Sequence, residues 1–218
     1  MTTTLYFSRN PNPRLAVAVA RWLKAPVVFE WASPLAPDQQ ARFLPLNPNL
    51  RIPILVGGGQ SLWETDAIAC RLSLMCGARL WRMDDALPDM IRWISWAHAN
   101  FVRACDMVHF ERGTKRRYDL GPTDPALIEE GLTSFHEAAR ILDAHLAGRD
   151  WLLGSEISYA DLRMATFLPY NDVAQLPLAD YPALARWYAR LDSHASWADP
   201  FVGLDAPELP PVRPHVAG

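Results

Sequence analysis

The sequence predicts two domains, a small α/β domain followed by an all-helical domain. Three observations support this prediction. Strand-like and helical segments alternate over residues 5–76, and apolar residues recur every three or four positions after residue 88. Between the two patterns, residues 82–88 form a polar stretch that ends in a proline, which is typical of a connection. We therefore assign residues 1–82 to the first domain and residues 88–218 to the second.

The elements of the first domain follow from turn chemistry and residue type. Prolines and asparagines in residues 9–13 favour a loop, and Pro13 suits the first position of a helix, where its missing N–H needs no partner. β-Branched and aromatic residues favour a strand at residues 26–31. The predicted elements are strands at 5–8, 26–31, 51–56 and around 62–63, and helices at 13–23, 38–43 and 65–76. Their order is that of a thioredoxin-like domain.

The second domain is predicted to be helical throughout. The pattern Ser158–Asp161 is a capping box and predicts the start of a buried helix. A basic, glycine-containing break is expected at residues 112–117, and from Leu204 on the prolines predict a tail that lies on the surface or is disordered. The predicted helices span residues 89–112, 125–146, 160–168 and 181–193.

The stretch from Arg51 to Ile68 carries the most chemical information. Its first strand is entered through Pro53, which leaves the backbone of Ile52 free to pair with something other than the sheet. Thr65 at a helix start, with Glu64 before it, places backbone N–H groups, a hydroxyl and a carboxylate at one spot. This combination suits a small peptide bound by its main chain, its carboxylate and its ammonium group. The alternative is that Thr65 only caps a helix and Glu64 is a solvated charge.

Composition and charge argue against several classes of protein. The net charge of −3 and pI near 6.1 give no support to nucleic acid or an anionic membrane as a partner. No run of about 18 uncharged apolar residues predicts a membrane span, and the N-terminus has no signal-peptide pattern, so we expect a cytoplasmic protein. The three cysteines form no metal-binding spacing, and His98 and His109 lack a third ligand, so we expect no metal site.

These motifs resemble those of the cytosolic glutathione transferase family, over roughly residues 5–203. The strongest matches are Arg51-Ile52-Pro53, where the family has a basic residue, Val or Ile, and a cis proline, and Glu64-Thr65, where it has Glu-Ser. A third match is the capping box that follows Leu152-Leu153-Gly154. The resemblance implies a cytoplasmic homodimer that acts in detoxification with glutathione as co-substrate.

The resemblance also implies a role for each matched residue. The backbone of Ile52 would bind the cysteinyl main chain of glutathione, and Glu64 and Thr65 would hold its γ-glutamyl end. Pro53 would be cis. Arg51 either pairs with the glycine carboxylate of glutathione or is a solvated arginine at a strand start.

The loop after the first strand is most similar to that of the bacterial nu class, where Thr-Pro-Asn supplies the groups that contact the thiol. Here the loop reads Asn10-Pro11-Asn12, and no cysteine lies in residues 1–69. Asn12 matches the asparagine of that class, and its side-chain N–H, with backbone N–H groups of the helix start, would favour a thiolate. Asn10 replaces the threonine, so either Ser8 or Tyr6 would have to supply the missing hydroxyl. The alternative is that these asparagines and prolines only form a turn that leads into a helix.

Two functional hypotheses follow from the resemblance. The first is an enzyme that activates the glutathione thiol for attack on an electrophilic carbon or a disulfide, with the second substrate between the domains. The second is a transferase-like module without catalysis that serves as an interaction or ligand-binding protein, which the missing hydroxyl at Asn10 favours. The candidate contacts of the second substrate, each of which is otherwise a core aromatic, are Trp96, Phe101, Tyr118, Phe167 and Tyr170.

Overall fold

The computed structural model describes residues 2–214, which form two compact units. The first unit contains residues 2–81 and 193–208, and the second contains residues 82–192 and 209–214. We expected residues 88–218 to form one domain. In the structure residues 193–208 pack with the first unit instead, and the last part of the predicted tail, residues 215–218, lies outside the described residues.

The first unit is built on a four-stranded mixed sheet with the strand order β2-β1-β3-β4. β1 is parallel to β2 and antiparallel to β3, and β3 is antiparallel to β4. This arrangement confirms the predicted thioredoxin-like fold. Its elements are β1 (Thr3–Phe7), α1 (Pro11–Trp22), β2 (Val27–Trp31), α2 (Gln40–Phe43), β3 (Ile54–Gly57), β4 (Gln60–Trp63) and α3 (Thr65–Met75).

The register of the sheet is fixed by burial on both faces. Tyr6 in β1 pairs with Ile54 in β3, which in turn pairs with Trp63 in β4. Ile54 is fully buried in a cluster with Phe43 of α2, and Tyr6 packs against the same cluster. The neighbouring residues point to the other face, where α1 packs against β1 and α3. A shift of one residue would exchange the two faces, so this burial holds the register.

The second unit is helical, as predicted, but its first long helix is interrupted. The segment expected to be one helix is divided into two at Asn100. The backbone of this residue leaves the helical region, with φ −127° and ψ −91°. The side chain of Asn100 donates a hydrogen bond to the carbonyl of Trp96 at 3.0 Å, and the same carbonyl accepts from the backbone N–H of Asn100 at 2.9 Å. The predicted break at residues 112–117 is itself helical, because a π-turn at Phe110–Thr114 continues the chain. The helices are α4 (Leu87–Ala99), α5 (Phe101–His109), α6 (Lys115–Tyr118), α7 (Pro125–Leu146), α8 (Tyr159–Met164), α9 (Asn171–Ala174) and α10 (Pro182–Asp192).

The predicted capping box is present at the start of α8. Asp161 is fully buried and accepts from the backbone N–H groups of Leu152 at 2.8 Å and Ser158 at 2.9 Å. It also accepts from the hydroxyl of Ser158 at 3.0 Å and from Nε1 of Trp187 at 3.0 Å. One carboxylate therefore joins the start of α8 to α10 and to the loop that precedes α8. The helix α11 (Ala195–Ala198) follows in the part of the chain that packs with the first unit.

A buried histidine lies beside the π-turn. His109 is 2% exposed, and neither of its ring nitrogens has a hydrogen-bond partner among the described residues. Burial, and secondarily the charge of Arg117, lowers the pKa of His109 to about 4, against a smaller opposing effect of Asp172. His109 is therefore neutral in the folded protein at neutral pH.

This histidine predicts a pH dependence of stability. The unfolded chain binds the proton near pH 6.5 and the folded chain near pH 4, so the unfolded state binds more protons between these values. The free energy of unfolding should keep its full value above pH 6.5 and lose about 3 kcal/mol on descent to pH 4.

Urea titrations at several pH values measure this loss. His109→Leu should remove most of the pH dependence, whereas His136→Leu, which removes a histidine on α7, is the control and should keep it. An unchanged slope in His109→Leu would contradict the assignment.

Candidate functional site

Three segments of the first unit meet at one end of its sheet. Residues 8–12 follow β1, residues 52–53 precede β3, and residues 64–65 follow β4. Because β1 and β4 both run antiparallel to β3, these positions share one end of the sheet. They are the segments in which the sequence places the candidate catalytic and glutathione-binding residues.

Ser8 and Asn10 are joined by two hydrogen bonds. The Oγ of Ser8 accepts from the backbone N–H of Asn10 at 3.3 Å and from its side-chain Nδ2 at 3.2 Å. Since a hydroxyl oxygen has two lone pairs, both are used, and the hydroxyl hydrogen of Ser8 is left to donate to another group. Ser8 is 8% exposed, so this donor lies just beneath the surface.

The start of α1 is tied to the start of α3. α1 begins at Pro11, two residues before the predicted position, which makes Asn10 its N-cap. Pro11 and Pro13 have no N–H, so Asn12 supplies the backbone donor of the first turn. The carbonyl of Asn12 accepts from Oγ1 of Thr65 at 3.3 Å, and Thr65 is buried. The positive ends of two helix dipoles are thereby held close together.

Glu64 has an unusual backbone conformation. Its φ of 72° and ψ of 124° lie in a region that costs a non-glycine residue about 1–3 kcal/mol. The conformation is held because Trp63 is paired in the sheet and Thr65 is bound to the loop after β1. As a result the Glu64 side chain is exposed at the N-cap of α3, and Asp66 adds a second carboxylate in the first turn. This helix start therefore offers both acceptors for an ammonium group and N–H donors for a carboxylate.

The Ile52–Pro53 peptide bond is cis, as the resemblance implies. β3 begins at Ile54, so the backbone of Ile52 lies outside the paired residues of the sheet. Pro53 is buried and Ile52 is half-buried. The side chain of Arg51 is exposed.

Asn47 is a positioning residue to which the sequence analysis gave no role. It is 3% exposed, its Nδ2 donates to the carbonyl of Arg51 at 2.8 Å, and its Oδ1 accepts from the N–H of Asn49 at 3.0 Å. It therefore holds the turn that leads into the cis bond. An asparagine directly before a proline is a turn signal that could have pointed to it.

Of the two hydroxyls considered for the first-strand loop, that of Tyr6 is engaged elsewhere. It accepts from Nη2 of Arg42 at 3.2 Å, and the same guanidinium binds Glu30 at 2.6 Å. The Tyr6 ring packs edge-on against Phe43, with 5.1 Å between ring centroids. Ser8 is therefore the hydroxyl that lies with Asn10.

In the second unit, Phe167 and Tyr170 lie together around His109. Each ring centroid is 5.4 Å from that of His109. Phe167 is 6% exposed and Tyr170 is 9% exposed, so both are buried.

The other three aromatic candidates lie on separate elements. Trp96 is half-buried and packs edge-on against Trp93 at 5.4 Å between centroids. Tyr118 is exposed on α6. Phe101 is fully buried and packs against Phe135 at 5.5 Å, so in this structure it is a core residue and not part of an open surface.

Within residues 2–214, no group of three or more His, Cys, Asp or Glu side chains is arranged to hold a metal ion. Over the same range no helix is long and apolar enough to cross a membrane. Cys105 is buried and Cys70 and Cys76 are half-buried, and burial raises the pKa of all three thiols.

Comparison with known proteins identifies both units. The model of the glutathione S-transferase N-terminal domain matches residues 1–70, and that of the C-terminal domain matches residues 125–190. The glutathione S-transferase GstB of Escherichia coli strain K12 is 29% identical over 161 residues, which cover 71% of this chain and 74% of GstB.

Solved structures share the fold. A glutathione S-transferase-I, bound with the ligand lactoylglutathione, superimposes with a TM-score of 0.83 at 19% identity and covers 93% of this chain and 99% of its own. A glutathione transferase family member from Pseudomonas fluorescens Pf-5, with two glutathione bound, gives a TM-score of 0.75 at 21% identity and covers 90% of this chain and 91% of its own. With both domain models matched in order and the fold shared, this chain belongs to the glutathione S-transferase family.

Proposed function

We propose that this chain is a cytoplasmic glutathione transferase. It binds glutathione at the end of the first unit's sheet, stabilises the thiolate, and directs that sulfur to an electrophilic carbon. A carbon–sulfur bond forms, and either a leaving group departs or the proton is taken up by the substrate. The observation that carries the proposal is the meeting of the Ser8–Asn12 loop, the cis Ile52–Pro53 bond and the Glu64–Thr65 helix start at one place.

Each part of glutathione has a matching group at this place. The Ile52 backbone, outside the sheet, pairs with the cysteinyl main chain, and Arg51 pairs with the glycine carboxylate. The exposed Glu64 carboxylate binds the γ-glutamyl ammonium. Since the hydroxyl hydrogen of Thr65 is directed to Asn12, the γ-glutamyl carboxylate is bound by the backbone N–H groups of the first turn of α3.

The thiolate is stabilised by hydrogen-bond donors. The Ser8 hydroxyl is the first donor because its oxygen already accepts twice from Asn10, which leaves its hydrogen to donate to another group. The N–H groups of Asn12 are the second set, at the positive end of α1. Donation to the charged form lowers the pKa of a thiol, which raises the fraction of nucleophile at neutral pH.

Reduction of a disulfide by bound glutathione is the second candidate reaction. Residues 1–69 contain no cysteine, so the attacking sulfur has to come from glutathione. The Pseudomonas fluorescens structure holds two glutathione molecules, as such a reaction would require. For the second substrate we keep Trp96 and Tyr118 as candidate contacts because they are half-buried and exposed, whereas Phe101, Phe167 and Tyr170 are buried in this structure.

If the donors of the first-strand loop stabilise the thiolate, their removal should lower turnover more than the affinity for glutathione. Ser8→Ala should raise the pKa of the bound glutathione thiol by about one unit and lower kcat about tenfold at neutral pH, because one charge-assisted hydrogen bond is lost. Asn10→Ala/Asn12→Ala should likewise lower turnover far more than glutathione affinity. Assays with an aryl halide and with a disulfide, together with calorimetric titration of glutathione, measure both quantities.

Ser61→Ala, on exposed β4, is the matched control and should behave as the unaltered protein. Equal losses of turnover and affinity would mean that the loop only binds. If the unaltered protein is not retained on immobilised glutathione and turns over neither substrate, the chain is a transferase-like interaction module.

The Thr65–Asn12 hydrogen bond predicts a loss of affinity. Thr65→Val removes the hydroxyl at nearly constant volume, so the starts of α1 and α3 are no longer joined. The dissociation constant for glutathione should rise about fivefold, the equivalent of roughly 1 kcal/mol for one hydrogen bond. Thr65→Ser keeps the donor and should retain the affinity; a similar loss in both variants would show that the methyl group matters instead.

We also propose a homodimer with two-fold symmetry, the commonest arrangement of soluble oligomers. Leu74 and Met75 at the end of α3 are large apolar residues that are 55% and 42% exposed, which suits an interface. Light scattering should give twice the chain mass of 24.5 kDa, and Leu74→Glu/Met75→Glu should halve it. A monomeric unaltered protein would refute this proposal.

A further inference from the structure

The residue between Ser8 and Asn10 is held by the distant C-terminal part of the chain. The Nε–H of Arg9 donates to the carbonyl of Ala206 at 2.9 Å, and its Nη2 lies 2.8 Å from Oε1 of Glu208. The guanidinium also lies over the ring of Phe201, 4.6 Å from its centroid. One arginine therefore binds three points of the segment 201–208.

The same segment also holds the residue before Ser8. Phe201 stacks on Phe7, the last residue of β1, with 5.9 Å between centroids and 20° between planes. Phe7 is 1% exposed and Phe201 is 6% exposed. Ser8 is thus bracketed, since Phe7 on one side and Arg9 on the other both contact Phe201.

Two further arginines, both on α1, bind the chain before this segment and at its start. Arg14 donates to the carbonyl of Trp197 and lies over its ring at 4.9 Å. Arg21 donates to the carbonyls of Pro200 at 3.3 Å and Val202 at 2.8 Å. After α11 the chain has no regular secondary structure up to residue 208, so its carbonyls need partners, and the arginines supply them.

The three contacts of Arg9 differ in how much they contribute to holding its side chain in place. Glu208 is 80% exposed, and an ion pair with so exposed a carboxylate contributes little. The Ala206 carbonyl and the Phe201 ring are better shielded, and both require the planar guanidinium with its fixed Nε–H. The planar shape of the Arg9 guanidinium, more than its charge, therefore holds the loop after β1 in place.

We propose that the segment 201–208, acting through Arg9, is a positioning element for the thiol-activating loop. It fixes the direction of the Ser8 hydroxyl and of Asn10, and so sets the acidity of bound glutathione. Arg9 is a positioning residue, because its Nε and Nη2 bind residues of the segment. This inference rests on the proposed function.

Arg9→Lys is the deciding variant because it keeps the charge and loses the planar fork. With the full-length chain, the ultraviolet absorbance of the bound thiolate is followed against pH, and glutathione affinity and aryl-halide turnover are measured in parallel. Arg9→Lys and Phe201→Leu should shift the thiolate titration upward by about one unit and lower kcat about tenfold at neutral pH, with affinity changed less than about threefold. Glu208→Gln should leave all three quantities unchanged.

Arg21→Gln is the matched control, since it releases Val202 of the same segment at the far end of α1. It should leave the titration in place. A normal titration in Arg9→Lys would overturn the proposal and indicate that charge alone acts, and an equal shift in Arg21→Gln would overturn it in favour of general loosening. If the unaltered protein binds no glutathione, the proposed function fails instead, and that is seen before any variant is compared.

Discussion

The pairing of β3 between β1 and β4 is the constraint on which the candidate site depends. The site is formed by residues that directly follow β1, precede β3 or follow β4. These residues lie side by side only when the three strands are paired in the observed register. Ile54 is the central residue, because it pairs with both neighbours and is fully buried with Phe43. Sliding β3 by one residue would expose Ile54 and carry the cis Ile52–Pro53 bond away from Ser8. Core burial and site geometry are therefore maintained by the same contacts.

The electrostatics of the site follow from two helix starts at one end of a sheet. Their partial positive charges repel each other, and the hydrogen bond from Thr65 to the Asn12 carbonyl joins the two helix starts. An anionic ligand relieves this repulsion, and glutathione brings both a carboxylate and a thiolate. The prolines at positions 11 and 13 carry no N–H group, so in the first turn of α1 only Asn12 has a backbone N–H.

Local signals in the sequence predicted much of this structure. The order of elements along the first unit, the α7 boundaries from Pro125 to Leu146 and the capping box at Ser158 all depend on residues close in sequence. The start of α1 was misplaced because Pro11 and Pro13 both suit a first helical position. The interruption at Asn100 lies in the backbone dihedral angles of a single residue, and apolar spacing does not carry that information.

The segments that form the candidate site were also predictable, because their signals lie between residues close in sequence. The hydrogen bonds that their side chains make were not predictable in this way. The sequence favoured Ser8 over Tyr6, which was expected to pack under the sheet, and the structure shows the Tyr6 hydroxyl bound to Arg42. The packing of residues 193–208 with the first unit, like the bond from Arg9 to Ala206, joins positions nearly two hundred residues apart. Such contacts are decided by tertiary packing, for which a single sequence has no periodic signal.

The asparagine at position 10 need not mean that catalysis is lost. A threonine there would offer its own hydroxyl to the sulfur, and the oxygen of Ser8 would lose the side-chain amide donor. Asn10 instead gives two donors to Ser8, which fills the acceptor sites of that oxygen and leaves its hydrogen to donate to another group. In this arrangement the donating hydroxyl is that of Ser8 and not that of a residue at position 10. Its direction depends on Asn10 and on Arg9 beside it. The substitution that favoured an inactive module from the sequence is thus accounted for by a different set of donors at the same place.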